Sequence, residues 1–487
     1  MNQVNLQAAA RQELIEQGFH PDFPPEVRAQ VAQLQAKPTD LNSSPNVRDL
    51  RSLLWSSIDN DTSRDLDQIE VVERLPDGTT RVLIGIADVD AYVAKGSPID
   101  QYAASEGTTL YTGVHNFSML PEELSTNLTS LLEGVDRLCV VIEMVVGADA
   151  SVQSGQAYPA LVRNRAQLAY SGVGPWLEGT AQPPAKVAAS ADLQAQLKLQ
   201  DEIAQKMREA RYRMGALNID SIETTPVLSN GQITGIQAAR KNRASELIED
   251  FMVGANGVIA RMLSEKHVSS IRRVVKTPER WDRIVALAAT LGEKLPAEPD
   301  SGALNAFLLK RKAVDPVHSP DLSLAVVKLM GPGEYVVDHP GDAEQGHFGL
   351  AVHDYTHSTA PNRRYADLVT QRLVKAALAN QPGPYSEGEL EGIAKNCTLK
   401  EDAARKVERA MRKRIAAVAL SGRIGETFRA VVTGVTPKGT FVRTLDPPAD
   451  GLVVQGAQGL DVGDQVRVKL LRTDAARGFI DFGRVAG

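Results

Sequence analysis

The stretch Ser57-Ile-Asp-Asn-Asp-Thr-Ser-Arg-Asp-Leu-Asp-Gln-Ile-Glu70 crowds Asp59, Asp61, Asp65 and Asp67 into nine residues. Like charges this close repel, and such a run persists only where cations neutralise it or water solvates it. Asp65 and Asp67 stand two residues apart, which places both on one side of an extended backbone. Carboxylate oxygens suit hard cations, Mg2+ above all. Two such ions a few ångströms apart can activate water and stabilise the leaving oxygen of a phosphodiester. A Ca2+-binding loop is the rival metal reading, but the helix-loop-helix spacing with a central Gly and a distal Glu is missing. A solvated polar turn is the alternative without chemistry, and the loop alone does not exclude it.

Around this run the pattern is β-rich from about residue 50 to 165, with Arg81 to Asp88 (RVLIGIAD) and Leu138 to Val146 as the clearest strands. Upstream, residues 8 to 36 read as helical, split by the turn His20-Pro-Asp-Phe-Pro-Pro25, and a loop ending at Pro45 follows. Downstream, Pro183 to Ala189 reads as a small-residue linker, followed by a helix from Asp192 to Met214. Ser245 to Leu263 carries Ile248, Phe251, Ala255, Val258 and Met262 on one helical face. Ser323 to Met330 is apolar, Arg363 to Leu378 is helical, and a further helical region runs to Ala419. Beyond Gly422, five short β patterns separated by Gly turns predict an OB-type barrel. The fold class expected is α+β. Its divisions are a small helical segment (1–48, one reading of which is helix-turn-helix-like), a catalytic domain (49–421) and the barrel (422–487).

At 487 residues the chain is too long for one ordinary core. With 43% hydrophobic and 23% charged residues it has a globular rather than a disordered composition. The start of the chain has no basic-then-apolar pattern, so no secretory signal is expected. The apolar stretch from Leu138 to Val146 is too short for a membrane span and is interrupted by Glu143. Cys139 and Cys397 are the only cysteines, without metal-type spacing, and fit a reducing cytoplasm. A net charge of −6 argues against a nucleic-acid partner only on the average. Between Lys400 and Arg423 eight Lys/Arg face three acids, which suits either phosphate binding or a solvated helix laced with ion pairs.

The acidic run resembles the signature of the RNase II/R (RNB) family of 3′→5′ exoribonucleases, a set of four aspartates ending in Asp-x-Asp-Asp. Asp59, Asp65 and Asp67 match the first three, and Gln68 stands where many members carry the fourth. Further blocks follow in the family's order: Ile86-Ala-Asp-Val89 with Tyr92-Val93, Ser118-Met-Leu-Pro-Glu-Glu-Leu-Ser125 with Gly134-Val-Asp-Arg137, and Ile248-Glu-Asp-Phe-Met252 with Ala255-Asn256. His347-Phe-Gly-Leu350 comes next, and Tyr355-Thr-His-Ser-Thr-Ala-Pro-Asn-Arg-Arg-Tyr-Ala-Asp-Leu368 closes the series.

The resemblance implies a processive exoribonuclease that hydrolyses RNA to nucleoside 5′-monophosphates with Mg2+ (Mn2+ as a substitute). Asp59, Asp65, Asp67 and Gln68 would be metal ligands, and Asp67 would also position or activate the water. Asp59, Asp65, Asp67 and Arg363 make up the implied catalytic set, with the Arg363 guanidinium steadying charge on the scissile phosphate. Tyr111 falls where the family stacks an aromatic on the 3′-terminal base. Its second aromatic would lie near Leu217, where none stands. Tyr170 and Glu249 match positions that contact ribose hydroxyls. Arg364, and Phe441 of a barrel similar to the RNA-binding domain of a small-subunit ribosomal protein, complete the implied RNA contacts.

The partners implied are single-stranded RNA and structured RNA with a 3′ overhang, bound by a cytoplasmic monomer with no membrane association. Many members carry two cold-shock domains ahead of the catalytic domain, and the first 48 residues are too few and too helical for one. Two other readings stay open: an RNA-binding or regulatory protein of the same fold weakened at Gln68, and an endoribonuclease with similar metal chemistry.

Overall fold

A computed structural model describes residues 5–36, 46–220, 222–229, 232–316, 318–342, 346–352 and 354–485. The loop expected up to Pro45 falls largely outside these residues. At its centre is a seven-stranded mixed sheet in the order Arg48–Asp49, Val152–Arg163, Asp136–Val146, Thr80–Ala87, Gln68–Arg74, Ser56–Asp59, Ala166–Ala169. The middle strands are near-continuous runs of Val, Ile and Leu because both faces are covered. Val82, Ile84, Ile142 and Met144 are all buried.

The helices Ala191–Arg213 and Arg243–Glu265 pack on one face of the sheet. Gly254 and Gly155 permit this approach. A Cβ on Gly254 would lie 2.8 Å from Met207 and 3.0 Å from Met144, and one on Gly155 would lie 2.5 Å from Val258. The stretch expected as a linker, Pro183 to Ala189, instead holds the short helix Ala185–Ala188. Its Val187 is fully buried, and burial of that one side chain outweighs a composition that reads as loop.

The N-terminal helices Leu6–Glu16 and Pro25–Ala36 dock on the body. Ala10, Leu14 and Phe19 share a cluster with Ala404, Val407 and Met411 of the 34-residue helix Glu387–Leu420. Val27 and Val31 join the main core. The long helix leads into a closed five-stranded barrel from Thr427 to Arg484. Phe428 and Phe482 meet edge to face inside it at 6.4 Å between centroids.

Candidate active site

The acidic loop joins the strand Ser56–Asp59 to its neighbour Gln68–Arg74 at one end of these strands. Asp65 and Asp67 precede the second strand rather than belonging to it, and alternation therefore does not govern them. Asp67 is fully buried whereas Asp65 is partly open. Asp59 ends the first strand, where its Oδ1 accepts from the Asn60 N–H (2.7 Å) and the Ser63 hydroxyl (2.9 Å). Its register partner is Ala169, so Tyr170 emerges beside it. Asp65 Oδ2 accepts from the Tyr111 hydroxyl at 3.3 Å.

Asp67 meets a segment almost three hundred residues away. Its Oδ2 accepts from Arg363 Nε at 2.6 Å and its Oδ1 from the Asn362 N–H at 3.0 Å. Burial pushes the Asp67 carboxyl up to about 6, against the downward pull of the Arg363 charge and the Asn362 N–H. Arg363 is held firmly in its charged form, because the negative fields of Asp67 and Asp59 outweigh its desolvation.

The segment that presents Arg363 is locked from several sides. Its carbonyl accepts from the Thr109 N–H at 2.9 Å, and Thr129 donates to the Asn362 side chain at 2.6 Å. The helix Tyr365–Leu378 starts two residues later than Arg363, which is therefore a loop residue. Arg364, expected as an RNA contact, donates Nε and Nη2 to Asp367 at 2.8 and 2.7 Å. That fork anchors the loop, because Asp367 in turn accepts from the Ala360 N–H.

Tyr111, in the two-residue strand Leu110–Tyr111, is 41% exposed and stands beside Asp65. Leu217, where a second aromatic would stand, is buried in a separate cluster with Trp281 and Phe307. Tyr170 opens the helix Tyr170–Leu177, and its carbonyl accepts from Asn242 Nδ2 at 2.8 Å. Asn242 also caps the helix Arg243–Glu265 that carries Glu249, so one side chain ties both expected ribose contacts together. Burial and the charges of Asp59, Glu70 and Glu249 all push the Tyr170 phenol up, which places these groups around it. Glu249 is half exposed and paired with Lys241 at 2.5 Å.

Gln68 is buried at the start of its strand. Two residues on, Glu70 is fully buried with neither carboxylate oxygen partnered, a residue that reading the sequence for motifs passed over. Among the described residues no group of three or more His, Cys, Asp or Glu is gathered tightly enough to enclose an ion by itself. The donors nevertheless fit a hard divalent cation. They are all oxygens, and the buried carboxyls of Asp59, Asp67 and Glu70 outnumber the one nearby arginine, so that ionising all of them in low dielectric is costly without a cation.

Away from this centre, a cavity of about 800 Å3 opens between the long helix, the helix Ser319–Met330 and the barrel. Arg409, Arg412, Lys413, Lys328 and Arg443 line it with Phe441. The basic run therefore faces a cleft rather than open solvent on these residues. Phe441 is half-buried at that wall, Phe428 is core, and Phe479 is 51% exposed. No helix of the described residues is long and apolar enough to cross a membrane.

The RNB domain matches residues 47–380, and the RNase II-type exonuclease C-terminal S1 domain matches residues 426–485. Ribonuclease R of Thermotoga maritima is 31% identical over 95% of this chain and 68% of its own length. Mycoplasma genitalium RNase R in complex with ribose methylated single-stranded RNA superposes with a TM-score of 0.88 at 22% identity, covering 99% of this chain and 78% of that one. Its complex with double-stranded RNA gives 0.87 at 24% identity, covering 99% and 83%. The chain spans about half to two thirds of the length of the curated relatives it matches. With the acidic loop, the arginine segment and the barrel all in place, the chain belongs to the RNB family and carries the S1 domain of RNase II-type exonucleases at its C-terminal end.

Proposed function

We propose that this chain is a divalent-metal-dependent 3′→5′ exoribonuclease that releases nucleoside 5′-monophosphates processively. The observation that carries the reading is the buried Asp67–Arg363 contact, set beside Asp59, Asp65 and the exposed ring of Tyr111. Mg2+, or Mn2+ in its place, would be held by Asp59, Asp65, Asp67 and Gln68, and when bound would polarise the phosphate and acidify an attacking water.

The chain's own groups do the rest. Tyr111 stacks on the 3′-terminal base, while Tyr170 and Glu249 hold its ribose hydroxyls. Asp67 orients the water and accepts its proton. The water oxygen bonds to phosphorus, the bond from phosphorus to the preceding ribose O3′ breaks, and that oxygen takes a proton from solvent to become the new 3′-hydroxyl, while Asp67 returns the proton it accepted to solvent. Arg363, rigidly placed by its segment, donates to the charge that gathers on the phosphate oxygens. The cleft lined by Arg409, Arg412, Lys413 and Phe441 guides the upstream strand.

The relative solved with ribose methylated single-stranded RNA and with double-stranded RNA supports RNA as the substrate; a free 3′ end, on single strands and on duplexes with a 3′ overhang, belongs to the proposal. A reducing cytoplasm agrees with the two buried free cysteines, and a monomer is part of the same proposal. Residues 1–48, 49–421 and 422–487 remain our working division of the chain.

The test is product analysis on linear RNA labelled throughout its length and on circular RNA of the same sequence labelled in the same way, with and without Mg2+. Mononucleotides from the linear form alone support the reading. Cleavage of the circle would indicate an endonuclease, and tight binding without products would indicate a weakened, RNA-binding descendant of the fold.

A further inference from the structure

Glu70 lies two residues beyond Gln68 on the strand Gln68–Arg74, and strand alternation turns both side chains to the same face. Its register partner is Ser56, at the start of the strand that ends in Asp59. Directly opposed residues of an antiparallel pair share a face, so Ser56 and Glu70 point the same way. Both are fully buried, and Ser56 Oγ and both Glu70 oxygens lack partners.

Gln200 packs beside them, donating through Nε2 to the Glu70 carbonyl at 3.5 Å while its own Oε1 is unpartnered. Four of the eleven partnerless buried side-chain polar atoms among the described residues thus collect at this point. Three of the four are pure acceptors. Buried polar groups are nearly always satisfied, and a pocket of unanswered acceptors calls for a cation or a donor.

We propose that Glu70 is a ligand of the divalent cation, supplying with Asp59 the carboxylate charge that the family's fourth aspartate provides and Gln68 does not. The inference rests on the reading of the acidic loop as a metal site. A Glu side chain reaches one methylene further than Asp, which suits a donor set back along the strand. The arrangement replaces a fixed neighbour of Asp67 by a donor rooted in the sheet.

The test reads metal binding directly, on the full chain without RNA. Mn2+ is titrated and its free fraction followed by electron paramagnetic resonance, with thermal unfolding measured in parallel. Glu70→Gln keeps the shape and removes the charge. It should weaken Mn2+ binding at least ten-fold, raise the melting temperature of the metal-free protein, and shrink the rise in melting temperature that Mn2+ produces. Glu70→Gln combined with Gln68→Asp should restore Mn2+ affinity to within about three-fold. Unchanged Mn2+ affinity in Glu70→Gln, or a double variant no better than the single one, overturns the proposal while leaving the active-site reading intact. Wild-type protein that binds no Mn2+ overturns both.

Discussion

Arg363 Nε lies 2.6 Å from Asp67 Oδ2, across 296 positions of sequence, and joins a fully buried carboxylate to a guanidinium that is 36% exposed. The contact orients two opposite functions at once. The carboxylate is kept from protonating further, and the guanidinium, bonded through Nε, remains partly accessible.

Replacing Arg363 therefore has two consequences. Arg363→Ala should lower the single-turnover rate by about 10²–10³, the usual cost of removing one transition-state donor. It should also push the Asp67 carboxyl higher, so the acid limb of the pH–rate profile moves up. Arg363→Lys keeps the charge and loses the fork, and should recover the acid limb before it recovers the rate. Equal rates in all three proteins would remove Arg363 from the chemistry.

The preference for RNA over DNA tests Tyr170 and Glu249. Tyr170→Phe with Glu249→Gln removes one hydroxyl and one charge and leaves the backbone bond from Asn242 to residue 170 in place. Each hydrogen bond to a 2′-hydroxyl contributes about 1 kcal/mol. The ratio of RNA to DNA degradation should fall at least ten-fold in the double variant, mainly through slower RNA cleavage. An unchanged ratio would show that the 2′-hydroxyl is read elsewhere.

Parts of this centre were legible in the sequence. The strands around Arg81 to Asp88 and Leu138 to Val146 appear as Thr80–Ala87 and Asp136–Val146, because buried strands leave continuous apolar runs. The barrel was equally plain from its Gly-spaced β patterns. Side-chain pairing was not. Nothing in the spacing of Arg363 and Arg364 says that the first faces Asp67 while the second is clamped by Asp367. Glu70 was missed for a related reason. An acid in a strand otherwise reading Ile-x-Val-Val looks like an exposed position, and only the helices covering that face bury it.

The cleft beside the barrel gives a salt-dependence prediction. A single-stranded chain loses affinity with a slope of about 0.7 per neutralised phosphate. Arg409→Ala with Arg412→Ala should lower the slope of log Kd against log salt by about 1.4 for a long RNA. An unchanged slope would remove these two arginines from the path of the strand.

The cluster of His347, Tyr355, His357 and Tyr335 behind Arg364 sets a pH dependence of stability. Burial lowers His347 to about 4, and burial with the charges of Arg364 and Arg273 lowers His357 well below the ordinary histidine value. Between the ordinary histidine value and these depressed values the unfolded chain binds protons that the folded chain does not. This contribution is complete above about pH 6.5 and is lost as the pH falls toward 4. Buried Asp67 and Asp250, both raised to about 6, act with the opposite sign, so the comparison of interest is between variants. His347→Gln should flatten the loss of urea midpoint from pH 6.5 to 4.5 relative to the parent. Parallel curves would place that imidazole in water.

Asp67→Asn is the most direct measure of the whole account. The amide keeps the size of the side chain and removes the charge and the basic oxygen. If Asp67 acts on the water in the transition state, single-turnover degradation at saturating Mg2+ should fall by orders of magnitude. RNA affinity, titrated at the same Mg2+ and salt, should stay level or rise because one charge repelling phosphate is gone. Degradation within a few-fold of the parent, with affinity unchanged, would contradict the mechanism and the role given to the acidic loop.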